Sequence, residues 1–335
     1  MVFKLGYQIQ EELYHPQVML ERVKLMEKAG LDVIWVPDHF HPWFHTGAQA
    51  VQAWVFMGAA AARTDRISIG TAVTTPTFRY HPAIVAQTFA TLGSMFPDRI
   101  LLGVGTGEAM NEVPLGYGWP TFKERAERLE EAIRIIRVLW SKEFLDFKGK
   151  YYRLAKANLY TRPENPVPLY VAANGPTVAK IAGKYADGFI TPFGDPDHAS
   201  KVLFPALQAG AKEEDRDPSK IETVLEISTY YDHDHERALQ YARKWGAAAT
   251  PLFFKLPLYD PRDIEEFGKL MSDEVLKRAF TISSEPEPFI KSIEKAIKTG
   301  FTQAYFSGTT ADELGFLEML AKHVIPYIKS TYADQ

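Results

Sequence analysis

Eight short β-branched or apolar runs punctuate this chain, and most are separated by longer stretches with helical spacing. The runs are Phe3 to Ile9, Asp32 to Asp38, Ile67 to Thr74, Ile100 to Gly107, Leu169 to Gly175, Gly188 to Phe193, Thr223 to Tyr230 and Gln303 to Ser307. Helical patterns cover Gln17 to Ala29, Ala48 to Ala62, Pro82 to Phe96, Thr121 to Trp140 and Pro176 to Tyr185. Alternation of this kind signals a parallel sheet. Eight such units in 335 residues suit an α/β fold of the (β/α)8 TIM-barrel type, with insertions at the C-terminal face of the strands, better than an open doubly wound sheet. No linker divides the chain, so a single barrel domain over residues 1–335 is expected. The period breaks from Thr250 to Ile282, where aromatic, proline and basic residues mix; a helical insertion at about 250–282, before strand eight, is expected there.

The composition narrows the chemistry. A formal net charge of −4 gives no basic surface for nucleic acid, and no apolar run reaches the ~18 residues needed to span a membrane. The Met1-Val2-Phe3-Lys4 start runs into a strand pattern without a signal-peptide layout, so a cytoplasmic location is expected. There is no cysteine, which removes disulfides, thiolate nucleophiles and cysteine-bound zinc. Chemistry must then use histidine, carboxylates, hydroxyls, aromatics or a borrowed cofactor.

In barrels of this type the reacting groups sit at the C-terminal ends of the strands. The unusual residues of this chain lie there. Strand one is followed by Glu11 and Glu12, and strand two ends in Asp38-His39, continuing as Phe40-His41-Pro42-Trp43-Phe44-His45. Strand three ends in Thr71-Ala72-Val73-Thr74, strand four in Gly105-Thr106-Gly107-Glu108 and strand five in Asn174-Gly175-Pro176.

Each piece has a plainer reading. Asp38-His39 can be a helix cap beside a core histidine. Three histidines within seven residues can hold a metal, although Pro42 works against a helix across His41 and His45, and no nearby carboxylate pattern completes a familiar site; no metal is expected. The Gly103 to Glu108 run resembles a dinucleotide fingerprint only loosely, since Glu108 stands where the third glycine belongs. Glu108 reads as a solvated loop residue or as an acid or base. His233 and His235 fit a solvated loop, and no Gly-x-Ser-x-Gly elbow is present.

Three blocks carry a family resemblance: Asp38 to Trp43, Thr75 to Gln87 and Gly103 to Glu112. Through them the chain resembles the luciferase-like superfamily of barrel oxidoreductases, and within it the coenzyme F420-dependent glucose-6-phosphate dehydrogenases and the F420-dependent secondary alcohol dehydrogenase. The similarity runs from about Leu5 to Lys329. It implies hydride transfer from a hydroxyl-bearing carbon to C5 of a deazaflavin. By resemblance His39 is the general base, Asp38 lies at the cofactor, Trp43 walls the site, Glu108 donates a proton to the reduced ring, and Glu12 is a second carboxylate near the substrate. Imidazole suits the base role because its unperturbed pKa of ~6.5 lies near operating pH.

The same resemblance implies a non-prolyl cis peptide at Ala72-Val73 and cofactor contacts from Thr75, Asn111, Asn174, Gly175, Pro176, Thr177, Val178 and Ala179. Free backbone N–H groups at the helix start near Pro176 suit a phosphate. Asn174 departs from the pattern, standing where the sugar-phosphate enzymes have glycine. Lys255 and Arg278 match one half of those enzymes' phosphate clamp, whereas Pro192 and Asp195 replace the other half. The expected substrate is a small molecule, a hexose phosphate such as glucose 6-phosphate ahead of a simple secondary alcohol. An FMN-dependent monooxygenase and a non-catalytic binding protein are the readings from other classes. Relatives of this kind are commonly homodimers, and a homodimer is expected.

Overall fold

Val33–Val36 is buried at all four positions, as a strand must be when other side chains fill the space on one face and helices cover the other. It is one of eight parallel strands in the computed structural model, which describes residues 3–192, 194–308 and 312–332. The eight are β1 (Lys4–Gln8), β2 (Val33–Val36), β3 (Ser68–Thr71), β4 (Ile100–Val104), β5 (Leu169–Ala172), β6 (Gly188–Thr191), β7 (Glu222–Tyr231) and β8 (Gln303–Ser307). They pair in sequence order, and the sheet closes where Lys4 of β1 stands against Gln303 of β8. The expected barrel is therefore present, and each expected run coincides with a strand, the seventh being one residue longer at each end than expected. Phe193, the last residue of one run, lies outside the described residues.

Side chains fill the closed sheet. Trp35 stands in its interior with Tyr170 and Tyr305, at ring-centroid distances of 5.5 and 5.8 Å, packed with Val33, Leu101, Ile190 and Val224. Gly70 makes room for this indole, since a Cβ there would come within 2.6 Å of Trp35 Cζ3 and 2.8 Å of Leu101 Cβ. Helices Pro16–Ala29, Ala53–Ala61, Pro82–Met95, Phe122–Ser141 and Pro176–Tyr185 form the outer layer on the first five strands, at the places expected to within a few residues. Among the described residues no helix is long and apolar enough to cross a membrane.

Two features were not expected. An antiparallel hairpin joins Leu145–Lys148 to Arg153–Ala157. The Glu131 carboxylate accepts N–H groups of Lys150, Tyr151 and Tyr152 at its turn, and the Tyr152 hydroxyl donates to the Thr77 carbonyl at 2.7 Å. The hairpin thus buttresses the chain that follows β3. A short strand, Thr281–Ser283, extends the sheet beyond the barrel by pairing with the end of β7.

Between Trp245 and Phe280 the chain forms short 3-10 turns and the helices Pro261–Lys269 and Asp273–Ala279. They bury Trp245, Phe253, Ile264, Leu276 and Phe280 together with Trp43 and Phe44 from the loop after β2. This second apolar cluster is separate from the main core and sits at the C-terminal mouth of the barrel.

Candidate active site

Asp38 ends the second strand and is 2 % exposed. Its carboxylate accepts the Thr74 hydroxyl at 2.6 Å and the Tyr80 hydroxyl at 3.3 Å, and lies 2.9 Å from the Arg79 guanidinium. Arg79 also donates to the Asp38 carbonyl and reaches the Glu112 carboxylate at 3.3 Å. Burial pushes Glu112 up to about 7 against the pull of Arg79. These contacts account for both oxygens of Asp38, and the side chain does not line the cavity at the barrel mouth. It stands one layer behind the residues that line the cavity, held by Thr74, Tyr80 and Arg79.

His39, the next residue, faces the cavity. Its Nδ1 lies 3.2 Å from Glu12 Oε1 and 3.1 Å from Glu11 Oε1, and its Nε2 lies 3.7 Å from Glu108 Oε2. Burial opposes a charge on the ring, but the carboxyls of Glu11, Glu12 and Glu108 around it outweigh this and raise the His39 pKa well above the ordinary 6.5. Burial likewise raises Glu108, although His39 and Arg79 oppose this. Asn111 ties the two loops together: its Oδ1 accepts the Phe40 N–H at 2.8 Å and its Nδ2 donates to Glu108 at 3.1 Å. Trp43 is 3 % exposed and meets His39 edge-on at 6.2 Å between centroids, with Phe253 on it at 4.7 Å.

His39, Trp43 and Glu108 all line one cavity of about 340 Å³. Ala72, Val73, Thr75, Asn111, Asn174, Gly175 and Val178 line it as well, and the Ala72–Val73 peptide is cis. Glu12 lies behind the wall, against His39. Gly175 starts helix Pro176–Tyr185 with no side-chain cap, and its own Cβ position is open space. Pro176 and Thr177 are exposed on the first turn, while Ala179 turns into the main core; none of the three lines the cavity.

The late insertion contributes differently from what its charges suggested. Lys255 and Arg278 are both exposed and outside the cavity wall. Their apolar neighbours Phe254, Leu256 and Phe280 form it instead, with Trp245 and Phe253. Pro192 also lines the cavity, whereas Asp195 caps helix Pro196–His198, its carboxylate accepting the Asp197 N–H at 2.9 Å. Trp245 and Phe253 were missed because the pattern breaks there; only their aromatic character could have marked them as buried. His41 Nδ1 lies 3.0 Å from the Tyr259 carbonyl, and the backbone N–H of the exposed His45 donates to Glu265 at 2.9 Å. The histidine run therefore forms no cluster; the ligand atoms that do gather, within 4.8 Å, belong to Glu11, Glu12 and His39.

Residues 3–303 match the model of a family described as luciferase-like monooxygenase. An F420-dependent glucose-6-phosphate dehydrogenase of Beutenbergia cavernae is 42 % identical over 330 residues, covering 98 % of each chain. One of the same name from Mycolicibacterium smegmatis is 40 % identical over 97 % of this chain and 98 % of its own. Among solved structures, an F420-dependent secondary alcohol dehydrogenase in complex with an F420-acetone adduct superposes with a TM-score of 0.94 at 39 % identity, over 98 % of this chain and 99 % of the other. A coenzyme F420-dependent tetrahydromethanopterin reductase from Methanopyrus kandleri shares the fold, with a TM-score of 0.79 at 22 % identity over 98 % of this chain and all of its own.

Because Asp38 answers a buried arginine, Asp38→Ala is expected to lower the free energy of unfolding in urea by about 3–5 kcal/mol at neutral pH. A loss below about 1 kcal/mol, the range of an exposed pair, would mean that the Arg79 charge is satisfied without it.

Proposed function

The chain belongs to the luciferase-like monooxygenase family, and from that premise we propose that it is a coenzyme F420-dependent dehydrogenase acting on a CH–OH group. The observation that carries this reading is His39: an imidazole at a strand end, backed by carboxylate at Nδ1 and facing the cavity with Nε2. When bound, the deazaflavin supplies a two-electron hydride acceptor. His39 takes the hydroxyl proton through Nε2 while its Nδ1–H stays with Glu12. Glu108, raised by burial, can hold a proton at the same cavity for the reverse direction. Trp43 excludes water from the reacting carbon.

The residues present fit such a cofactor. Gly105 and Gly107 bring backbone close to Val73 and Thr75, since a Cβ on either would come within 2.8 Å of those side chains. The uncapped start of helix Pro176–Tyr185 offers backbone N–H groups to a phosphate. Ala72, Val73, Thr75, Asn111, Asn174, Gly175 and Val178 would hold the coenzyme.

For the substrate, the apolar wall of Trp43, Trp245, Phe253, Phe254, Leu256 and Phe280 favours a secondary alcohol with apolar substituents; Arg125, a cation that also lines the cavity, is stacked on Trp119 at 4.1 Å. A hexose phosphate is the second reading, supported by the names of the curated relatives and by Lys255 and Arg278 standing next to lining residues. We further propose a homodimer. Helix Ala53–Ala61 carries no charge and leaves Val55 74 % exposed, and Ile84 and Met95 on the helix beside it are 51 % and 61 % exposed. Sedimentation showing a single species near the monomer mass of 37.9 kDa would refute it.

His39→Ala is expected to retain F420 binding, read by fluorescence, while kcat for F420 reduction falls by about 10²–10⁴-fold. In the native enzyme oxidation needs a neutral imidazole, and His39 holds its proton above 6.5. So kcat/KM for oxidation should climb as pH rises past 6.5 and level off only beyond the raised His39 value, and carbonyl reduction should decline over that window. A flat profile, or full turnover in His39→Ala, would refute the assignment. Loss of the F420 visible absorbance should follow addition of isopropanol or 2-butanol; bleaching by glucose 6-phosphate alone would install the second reading.

A further inference from the structure

Glu11 has no role in this scheme, yet it is 0 % exposed and its carboxylate oxygens are buried without a hydrogen-bond partner. It is not remote from the chemistry. Glu11 Oε1 lies as near to His39 Nδ1, at 3.1 Å, as Glu12 Oε1 does at 3.2 Å. Nδ1 carries at most one proton, so it can donate well to only one of the two, and the hydrogen-bond geometry belongs to Glu12. Two carboxylates cannot both stay ionised side by side where water does not reach. The other groups acting on the cluster do not relieve this. Asp38 adds negative charge from the end of β2, and Glu108 does so from the loop after β4; Tyr230 of β7 stands near Glu12 as a neutral phenol. Arg79 acts on Glu108 and is already held by Asp38 and Glu112.

We propose that Glu11 is a positioning residue for His39, the protonated member of a Glu11–Glu12 carboxyl pair that together keeps the imidazole proton on Nδ1 and leaves Nε2 free for the substrate hydroxyl. Burial first, against the pull of His39, and then the Glu12 charge push Glu11 up to about 8, so at neutral pH it is the neutral acid. The proton count is closed. When the substrate O–H breaks and Nε2–H forms, the imidazolium is balanced by ionised Glu12, and Glu11 keeps its proton. The proposal rests on His39 being the base of a dehydrogenase, and it is tested by a readout that needs neither substrate nor coenzyme.

The His39 imidazole is followed by NMR across pH in the full-length wild type, Glu11→Gln and Glu11→Leu, with the resonance assigned through His39→Gln. The amide of Glu11→Gln resembles the neutral acid, so below about pH 8, where Glu11 keeps its proton, His39 should titrate as in the wild type. Glu11→Leu should lower the His39 midpoint by about one unit or more, and the pH limb of kcat/KM should move down with it. A Glu11→Gln midpoint that falls as far as that of Glu11→Leu would overturn the proposal, because it would make Glu11 an ionised partner. It also fails if Glu11→Leu leaves the midpoint in place, or if the purified protein holds one equivalent of a divalent metal that Glu11→Leu loses. A wild type that turns over no alcohol or sugar phosphate, with the titrations as expected, would instead refute the dehydrogenase reading alone.

Discussion

One guanidinium holds three strand ends in register. Arg79, which follows β3, bonds to Asp38 at the end of β2 and to Glu112 beyond β4, and each partner stands a few residues from a group that faces the cavity. Asp38 precedes His39, and Glu112 follows Glu108 and Asn111. The Asn111 amide repeats the connection on the cavity side, joining the Phe40 backbone to Glu108. A base and an acid on separate loops thus keep a fixed spacing without touching through regular secondary structure. Removing a buried charge partner costs more than an exposed pair contributes, so the clamp is hard to lose piecemeal.

The electrostatics of the site follow from what lies beneath it. Trp35, Tyr170 and Tyr305 fill the barrel and keep water from its interior, so the carboxyls around His39 interact in a poorly screened space. Burial disfavours charge on each group separately, and the groups respond jointly: the imidazole gains affinity for its proton, while Glu11 and Glu108 are driven toward the neutral form. The arrangement separates proton-holding groups by environment instead of by residue type.

The barrel was legible because strands covered on both faces read as mostly apolar runs, and eight such runs recur along the chain. The hairpin at Leu145 to Ala157 was not. Its residues alternate between half-buried and exposed, and what fixes its turn is Glu131, about twenty positions away in the sequence. For the site, His39, Trp43, Glu108 and the Ala72–Val73 step were readable as strand-end residues. Asp38 was readable as a strand-end carboxylate, but its bonds to Thr74 and Arg79 were not, because they join separate loops. Lys255 and Arg278 drew notice as charges, but in a solvent-facing insertion charges turn outward and the aromatic residues between them turn in. Arg79 lies in the Thr75 to Gln87 block but its role was not legible, because an ion pair across about forty residues leaves no local pattern.

The apolar cluster formed by Trp245, Phe253, Ile264, Leu276 and Phe280 packs apart from the core that carries the strands. Side chains in it can be exchanged, one volume for another, without moving a strand end. Trp43, which also meets His39, is one point of contact with the catalytic end of the barrel, and Tyr230 of β7 and Met110 beside Asn111 are others. A lineage could therefore alter which molecules enter the mouth by drift in one packing unit and inherit the hydride machinery unchanged in the other, provided that these shared residues still suit both.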